Sequence, residues 1–123
     1  MYAQATIPDA EAASVLSKAV VRAAALLGIT QAQLARVLGV SPSTASRLQA
    51  GAYRLAPSRK EWEFALLLVR LFRSLDSIAG GEMAKRWMES ENRGLSGRPI
   101  DLVQTTEGLV RVVQYLDASR GRV

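Results

Sequence analysis

The chain has 123 residues, 49% of them apolar, which is enough to bury one core and argues against disorder. Cysteine and histidine are both absent, so the sequence excludes disulfides, thiolate metal sites, the commonest zinc ligand and the commonest general base. The formal net charge is +5, and we expect a basic, all-α protein that is not an enzyme and needs no metal or cofactor.

The first predicted helix begins at Pro8-Asp9, where Glu11 places a negative charge in the first turn, and ends before Gly28. Residues 1–7 are expected to form a loose arm. The predicted apolar stripe of the helix consists of Val15, Leu16, Ala19, Val20, Ala23, Leu26 and Leu27. We expect this helix to pack across the back of the motif that follows.

Residues 30–51, TQAQLARVLGVSPSTASRLQAG, predict two short helices joined by a tight bend. Thr30 is placed to cap a helix from Gln31 to Leu38, and Gly39 ends that helix because it adopts the left-handed conformation without steric cost. Ser41 caps the next helix, with Pro42 at its first position, where the missing N–H is harmless. The pattern predicts a helix-turn-helix, although an ordinary corner between two helices would give a similar sequence pattern.

The second of these helices is predicted to run to about Gln49 and to present two different faces. Ala45 and Leu48 are expected to turn back towards the preceding helix. The residues expected to point outward, where small and polar side chains reach base edges, are Pro42, Ser43, Ser46 and Arg47.

Pro57 excludes a regular helix immediately before it, so residues 52–57 are predicted to be a connector. Ser58 is expected to cap a long helix from Arg59 to about Ile78, with Glu61 completing a capping box. This helix is apolar on two sides and must be covered on both. One cover is expected to be the N-terminal bundle; the other is either the C-terminal segment or a second copy of the protein.

Gly80-Gly81 interrupts the pattern, and three regions are predicted: 1–57, a connecting and potentially dimerising helix over 58–79, and a helical subdomain over 80–123. The subdomain is expected to contain a short helix from Glu82 to about Ser90 and a loop punctuated by glycine and proline over 92–99. One helical turn from Pro99 and a last helix capped by Thr105 or Thr106 follow. The final residues, 118–123, are predicted to form an extended basic tail.

The positive charge is confined to the half that holds the helix-turn-helix. Residues 12–60 contain seven basic residues and no acidic one, whereas residues 61–123 contain nine of each. The seven are Lys18, Arg22, Arg36, Arg47, Arg54, Arg59 and Lys60. This distribution favours a polyanionic partner such as duplex DNA. No signal peptide or membrane span is visible, so we expect a cytoplasmic protein.

The motif TQxxLA, the Gly-Val-Ser bend and the short following helix resemble the helix-turn-helix of the phage-repressor-like Xre family. The resemblance implies that Gln31 binds a phosphate and that Pro42, Ser43 and Arg47 face the bases, with Ser46 on the same outward face. Arg54 and Arg59 are expected to contact phosphates. Such proteins read two half-sites, so a homodimer is expected.

The C-terminal order Trp87-Met88, Asn92, Leu95-x-Gly97-x-Pro99, then Asp101-Leu102-Val103-x-Thr105-x-Glu107-Gly108 resembles the toxin-binding domain of Xre/MbcA/ParS antitoxins. The resemblance implies a bacterial antitoxin that pairs with a RES-domain toxin, an NAD-degrading enzyme, and covers its active site, while the N-terminal part binds the promoter of its own operon. The residues that we assign to toxin binding are Asn92, Arg93, Leu95, Arg98, Pro99, Arg120, Arg122 and Val123.

Two alternatives remain for this C-terminal region. Trp87, Leu95, Ile100 and Leu102 are better explained as the core of a small helical subdomain, and the tail is either disordered or held by a partner. The competing hypothesis for the whole chain is a stand-alone phage-type repressor whose C-terminal subdomain only dimerises. A small enzyme would need a carboxylate or lysine site, and no motif converges on one.

Overall fold

The computed structural model describes residues 9–120, and in that range the fold is all-α, as predicted. The predicted N-terminal arm lies outside the described residues. The helices are α1 (Asp9–Leu27), α2 (Gln31–Leu38), α3 (Pro42–Gln49), α4 (Glu61–Ile78), α5 (Glu82–Glu89), α6 (Pro99–Leu102) and α7 (Thr106–Arg120). None of these helices is both long enough and apolar enough to cross a bilayer.

The first helix, α1, has the predicted bounds, but its buried face is rotated from the predicted stripe. Leu16, Val20 and Leu27 are buried, whereas Val15 is 59% exposed and Leu26 is 39% exposed. The buried face is completed by small residues, among them Ala13 and Ala24, which allow close approach of the neighbouring helices. The sequence stripe was therefore wrong at Val15 and Leu26, because side-chain size alone does not identify the face that packs.

Helix α4 lies at the centre of the molecule. It packs against α1 and α2 on one side and against α7 on the other, so the C-terminal segment provides the second cover. Its buried residues, Ala65, Leu68, Leu71, Ser74 and Leu75, join a continuous apolar cluster that extends from α1 to α7. Leu66 and Ile78 were expected in the apolar stripes, but they remain about half exposed.

The predicted start of α4 was wrong. The helix begins at Glu61, and the residue before it, Lys60, provides no side-chain cap. The Arg59 amide donates to the Ala56 carbonyl, which closes a separate turn over the positions where the helix was expected to start. Glu61, which a capping box would direct back towards Ser58, instead accepts a hydrogen bond from the Tyr53 hydroxyl.

The last helix begins as predicted and ends later than predicted. The Thr105 hydroxyl accepts from the Gly108 amide at 3.1 Å, which caps the first turn of α7. Residues 118–120, expected to be an extended tail, continue the helix to Arg120. The helix extends through them because the first residue that disfavours a helix is Gly121, which lies outside the described range.

Candidate functional sites

Uncharged side chains cap the N-termini of both helices of the helix-turn-helix. The Thr30 hydroxyl accepts from the Gln33 amide at 3.1 Å, and the Gln33 side chain accepts in return from the Thr30 amide at 2.9 Å. Gly39, at φ +71°, ends α2 in the left-handed conformation. The Ser41 hydroxyl accepts from the Thr44 amide at 3.1 Å at the start of α3. These local interactions confirm the predicted bounds of both helices.

The two faces of α3 are those expected from the sequence. Ala45 and Leu48 are buried, and together with Leu34 and Leu38 they form the interior of the motif. The four outward candidates, Pro42, Ser43, Ser46 and Arg47, are all exposed. This face is therefore free to enter a groove of a nucleic acid.

Arg47 is held in place by two contacts that the sequence did not reveal. Its Nη2 donates to the Thr44 hydroxyl at 3.3 Å, and its guanidinium carbon lies 5.5 Å from the centre of the Tyr53 ring. The Tyr53 hydroxyl in turn donates to the Glu61 carboxylate. That hydrogen bond, with burial and the charge of Glu61, raises the pKa of Tyr53, while Arg59 and Arg47 act in the opposite direction. Tyr53 thus links the recognition helix α3 to the start of α4.

The remaining DNA-binding candidates also lie at the surface. Gln31 is the first residue of α2 and is exposed, as are Arg54 and Arg59 in the connector after α3. Arg36 is different, because its Nε donates to the side-chain oxygen of Gln104 at 2.6 Å. This contact spans 68 positions of sequence and ties α2 to the segment between α6 and α7, so no local pattern predicts it.

The second site is the loop over residues 92–98, which we call the 92–98 loop. Asn92 and Gly97 exchange two backbone hydrogen bonds, of 2.9 and 3.3 Å, and the Asn92 side chain accepts from the Leu95 amide at 3.0 Å. The Leu95 carbonyl accepts from Arg111 at 2.9 Å. Ser96 has a φ of +58°, which is uncommon for a non-glycine residue. The loop is therefore closed by its own hydrogen bonds and by the bond from Arg111.

The candidates for toxin binding divide between the surface and the interior. Arg93, Arg98 and Arg120 are exposed. Leu95 and Pro99 are buried, so they shape the loop from inside and do not present side chains to a partner. The simpler interpretation holds for the apolar residues here, because Ile100 is also buried, and Trp87 and Leu102 pack partly against the same core. Arg122 and Val123 lie outside the described residues.

Two further contacts fix the surroundings of the loop. Arg98 donates to both carboxylate oxygens of Asp101, at 2.9 and 3.2 Å, and this hydrogen bonding raises the pKa of Arg98. Tyr115 stacks on Trp87 with ring centres 6.3 Å apart. A side chain at Gly94 would meet the Tyr115 ring at 2.7 Å, so a larger residue there requires the ring to move.

The fold and the exposed face of α3 define an all-α helix-turn-helix protein with a second, helical recognition region. Residues 7–70, just over half of the chain, match the family described as the antitoxin Xre-like helix-turn-helix domain. Residues 69–122 match the antitoxin Xre/MbcA/ParS C-terminal toxin-binding domain. The chain therefore belongs to the Xre/MbcA/ParS antitoxin family, and it is the antitoxin of a toxin-antitoxin system.

A solved structure supports the same assignment. A chain in the crystal structure of the M. tuberculosis MbcT-MbcA toxin-antitoxin complex is 29% identical, with a TM-score of 0.65, over 89% of this chain and 96% of that one. A curated relative, 6-hydroxy-3-succinoylpyridine 3-monooxygenase HspA of Pseudomonas putida, is 59% identical over only 34 residues. That match spans 11% of the relative's length and carries no argument about activity.

Proposed function

We propose that this antitoxin neutralises a RES-domain, NAD-degrading toxin by covering its active site, and that it represses its own operon by binding the operator. In this proposal residues 1–57 bind DNA, residues 58–79 connect the two functions and contribute to a homodimer, and residues 80–123 bind the toxin. The observation that carries the proposal is the combination of an exposed recognition helix with a separate hydrogen-bonded loop, in a chain that matches both antitoxin domains.

The 92–98 loop suits a polar cleft such as one that binds NAD. Exposed guanidinium groups form strong, directional hydrogen bonds with carboxylates and carbonyl oxygens in such a cleft. Arg93 is exposed in the loop, Arg98 is exposed there while it bonds Asp101, and Arg120 is exposed at the end of α7. Because the loop is closed by its own hydrogen bonds, little conformational entropy is lost when a partner binds it.

Co-expression with a RES-domain toxin encoded beside this chain tests the inhibitory half. We expect a stable complex by size-exclusion chromatography and preserved cellular NAD. Arg93→Ala with Arg98→Ala should restore toxin activity, whereas Arg73→Ala, which removes a cation on α4, should not. Full protection by the double variant would reject the loop as the inhibitory surface.

The tail is tested separately by deleting residues 120–123. Arg120 is the last residue of α7, so its loss should leave the core and DNA binding intact. If Arg120, Arg122 and Val123 occupy the toxin's cleft, the truncated protein should still form the complex but fail to suppress NAD loss. Unchanged protection would assign occlusion to the 92–98 loop alone.

A promoter fused to a reporter tests the DNA-binding half. We expect the chain to repress its own promoter, and the outward face of α3 to be required. Replacing Ser43 and Ser46 together with glutamate puts two negative charges where phosphates and base edges would approach, and should abolish repression. The same substitutions should leave toxin inhibition intact, which separates the two functions.

The proposed homodimer has a specific candidate surface. A groove of about 240 Å³ lies between α1 and α4, bordered by Val15 and Leu66, which are 59% and 49% exposed. A second copy placed here would bury both side chains, and a dimer is the state that reads two half-sites ~34 Å apart. Light scattering should give a dimer at micromolar concentration, and Leu66→Glu should give a monomer. A monomeric parent chain would refute the dimer.

A further inference from the structure

A second groove, of about 490 Å³, lies between α1 and the segment that follows α3. One wall is a stripe of α1 that includes Lys18, Val21 and Arg22, and the other is formed by the end of α3 and by residues as far as Arg54. Its volume is within the range of sites that hold small ligands, about 300–1,000 Å³. The groove thus brings three cations from two separate elements to one concave surface.

The arrangement of these cations is unfavourable for the isolated protein. Lys18 and Arg22 are one helical turn apart on the same face of α1, and like charges at this spacing destabilise a helix. The ion pairs found between residues 9 and 120 involve Arg70, Lys85 and Arg98, and none of them lies in this groove. Residues 12–60 contain no acidic side chain, and the Glu61 carboxylate that follows accepts a hydrogen bond from Tyr53, which lines the groove.

The rest of the lining indicates what kind of anion fits. Val21 and Leu48 provide apolar surface that reduces screening by water, and the Ser14 hydroxyl and Gln49 amide provide neutral hydrogen-bonding groups. The end of α3 contributes a partial negative charge of roughly half a unit, which three full positive charges exceed. A phosphate group attached to a larger polar and apolar body matches this lining better than a free inorganic ion does.

We propose that this groove binds the phosphate group of a nucleotide, with Lys18, Arg22 and Arg54 as its ligands. The phosphate belongs either to the DNA backbone beside the half-site read by α3 or to a free nucleotide. Binding of the DNA backbone rests on the proposed DNA-binding function, and it extends the DNA-contacting surface to α1, which the helix-turn-helix motif does not include. Binding of a free nucleotide does not depend on DNA binding.

The test uses a groove double variant, which carries Lys18→Gln and Arg22→Gln, and a control double variant, which carries Lys85→Gln and Arg86→Gln. Both variants lose two positive charges, but the control charges lie on α5, outside the groove. Thermal unfolding of the full chain first establishes that both variants fold. Operator DNA binding is then measured by fluorescence anisotropy between 50 and 200 mM salt, and ATP is titrated by calorimetry as the free-nucleotide probe.

If the DNA backbone is the ligand, the groove variant should lower the slope of log affinity against log salt by about two units and bind operator roughly tenfold more weakly at 50 mM salt. The control should retain the parent slope. If a free nucleotide is the ligand, the parent should bind ATP and the groove variant should lose that binding while operator affinity is unchanged. The proposal is overturned if the groove variant keeps the salt slope of the parent and its ATP binding is also the same as that of the parent, whether present or absent. If the parent binds ATP but not DNA, and the groove variant loses ATP binding, the groove is supported and the DNA-binding function is rejected.

Discussion

The two halves of the molecule use basic residues in different ways. In the half from α4 onwards, Arg70, Lys85 and Arg98 pair with carboxylates of the same chain. In the helix-turn-helix half, no cation pairs with a carboxylate of residues 9–120; Arg47, for example, packs on an aromatic ring and bonds a hydroxyl. The difference indicates that three cations of the second half contribute to the fold, whereas those of the first half are available to an external polyanion.

The caps of the helix-turn-helix also leave its positive charge unopposed. The helices of the helix-turn-helix are capped by the neutral side chains of Thr30 and Ser41, each worth about 1 kcal/mol. Carboxylate caps would stabilise these helices comparably, but they would reduce the positive potential beside α3. The choice of neutral caps therefore preserves both the helices and the charge.

The largest expected effect tests the packing of the second half. Gly108→Ala places a methyl carbon 1.9 Å from the Leu102 carbonyl oxygen, where α7 crosses the end of α6. Since backbone atoms must move, we expect a loss of about 3 kcal/mol or more in the free energy of unfolding, measured by urea denaturation. Gly51→Ala is the matched control in the first half. The added methyl group meets open space, so only the strain of an alanine at φ +79° lowers the free energy of unfolding, by about 1–2 kcal/mol. Equal losses would show that α6 and α7 are not closely packed.

The next effect concerns the unpaired charge of the recognition helix. Arg47→Ala should weaken operator binding by roughly 1–3 kcal/mol and relax the sequence preference, if the guanidinium reads a base edge. Gel shifts with the operator and with a scrambled duplex measure both quantities. Arg54→Ala and Arg59→Ala should instead weaken both duplexes alike and lower the salt slope by about one unit each. An unchanged operator affinity for Arg47→Ala would mean that α3 is not the reading element.

A smaller effect is expected where charge serves the fold. Asp117 accepts from Arg70 at 2.5 Å and from the Ser74 hydroxyl at 3.1 Å. Because Ser74 is only 1% exposed, Asp117→Ala leaves a buried hydroxyl without its partner and should cost about 1–2 kcal/mol of stability. Arg70→Ala removes only the exposed ion pair and should cost about 0.5 kcal/mol or less. If the two substitutions cost the same, the ion pair and not the hydroxyl is the dominant contact.

The smallest effect is at the junction of the two halves. Tyr53→Phe removes the hydrogen bond to Glu61 and should cost about 1 kcal/mol. That bond raises the pKa of Tyr53, so its contribution is complete below the unfolded value of about 10 and is lost as the pH rises through the higher folded value. Denaturation at several pH values should give a constant difference between the parent and the variant up to about pH 9 and a decreasing one above pH 10. A difference that grows with pH would contradict this assignment.

The sequence by itself determined the helix-turn-helix. Its bounds depend on caps, on one left-handed glycine and on a proline at the first position of a helix, and all of these act within four residues. The outward face of α3 follows from helical periodicity alone, so Ser43, Ser46 and Arg47 were correctly predicted to be exposed. Family motifs in the last third located the 92–98 loop, but they did not reveal that Leu95 and Pro99 are buried.

Tertiary structure decided what depends on residues distant in sequence. Glu61, expected to cap α4, instead accepts a hydrogen bond from Tyr53. Helix α7 packs on α4 and covers its second apolar side. The hydrogen bond from Arg36 to Gln104 joins the two halves of the molecule. The groove that brings Lys18 and Arg22 to Arg54 exists only because α1 lies against the end of α3. Local chemistry acts through the backbone within one helical turn, whereas these contacts require the packed core to bring separate elements together.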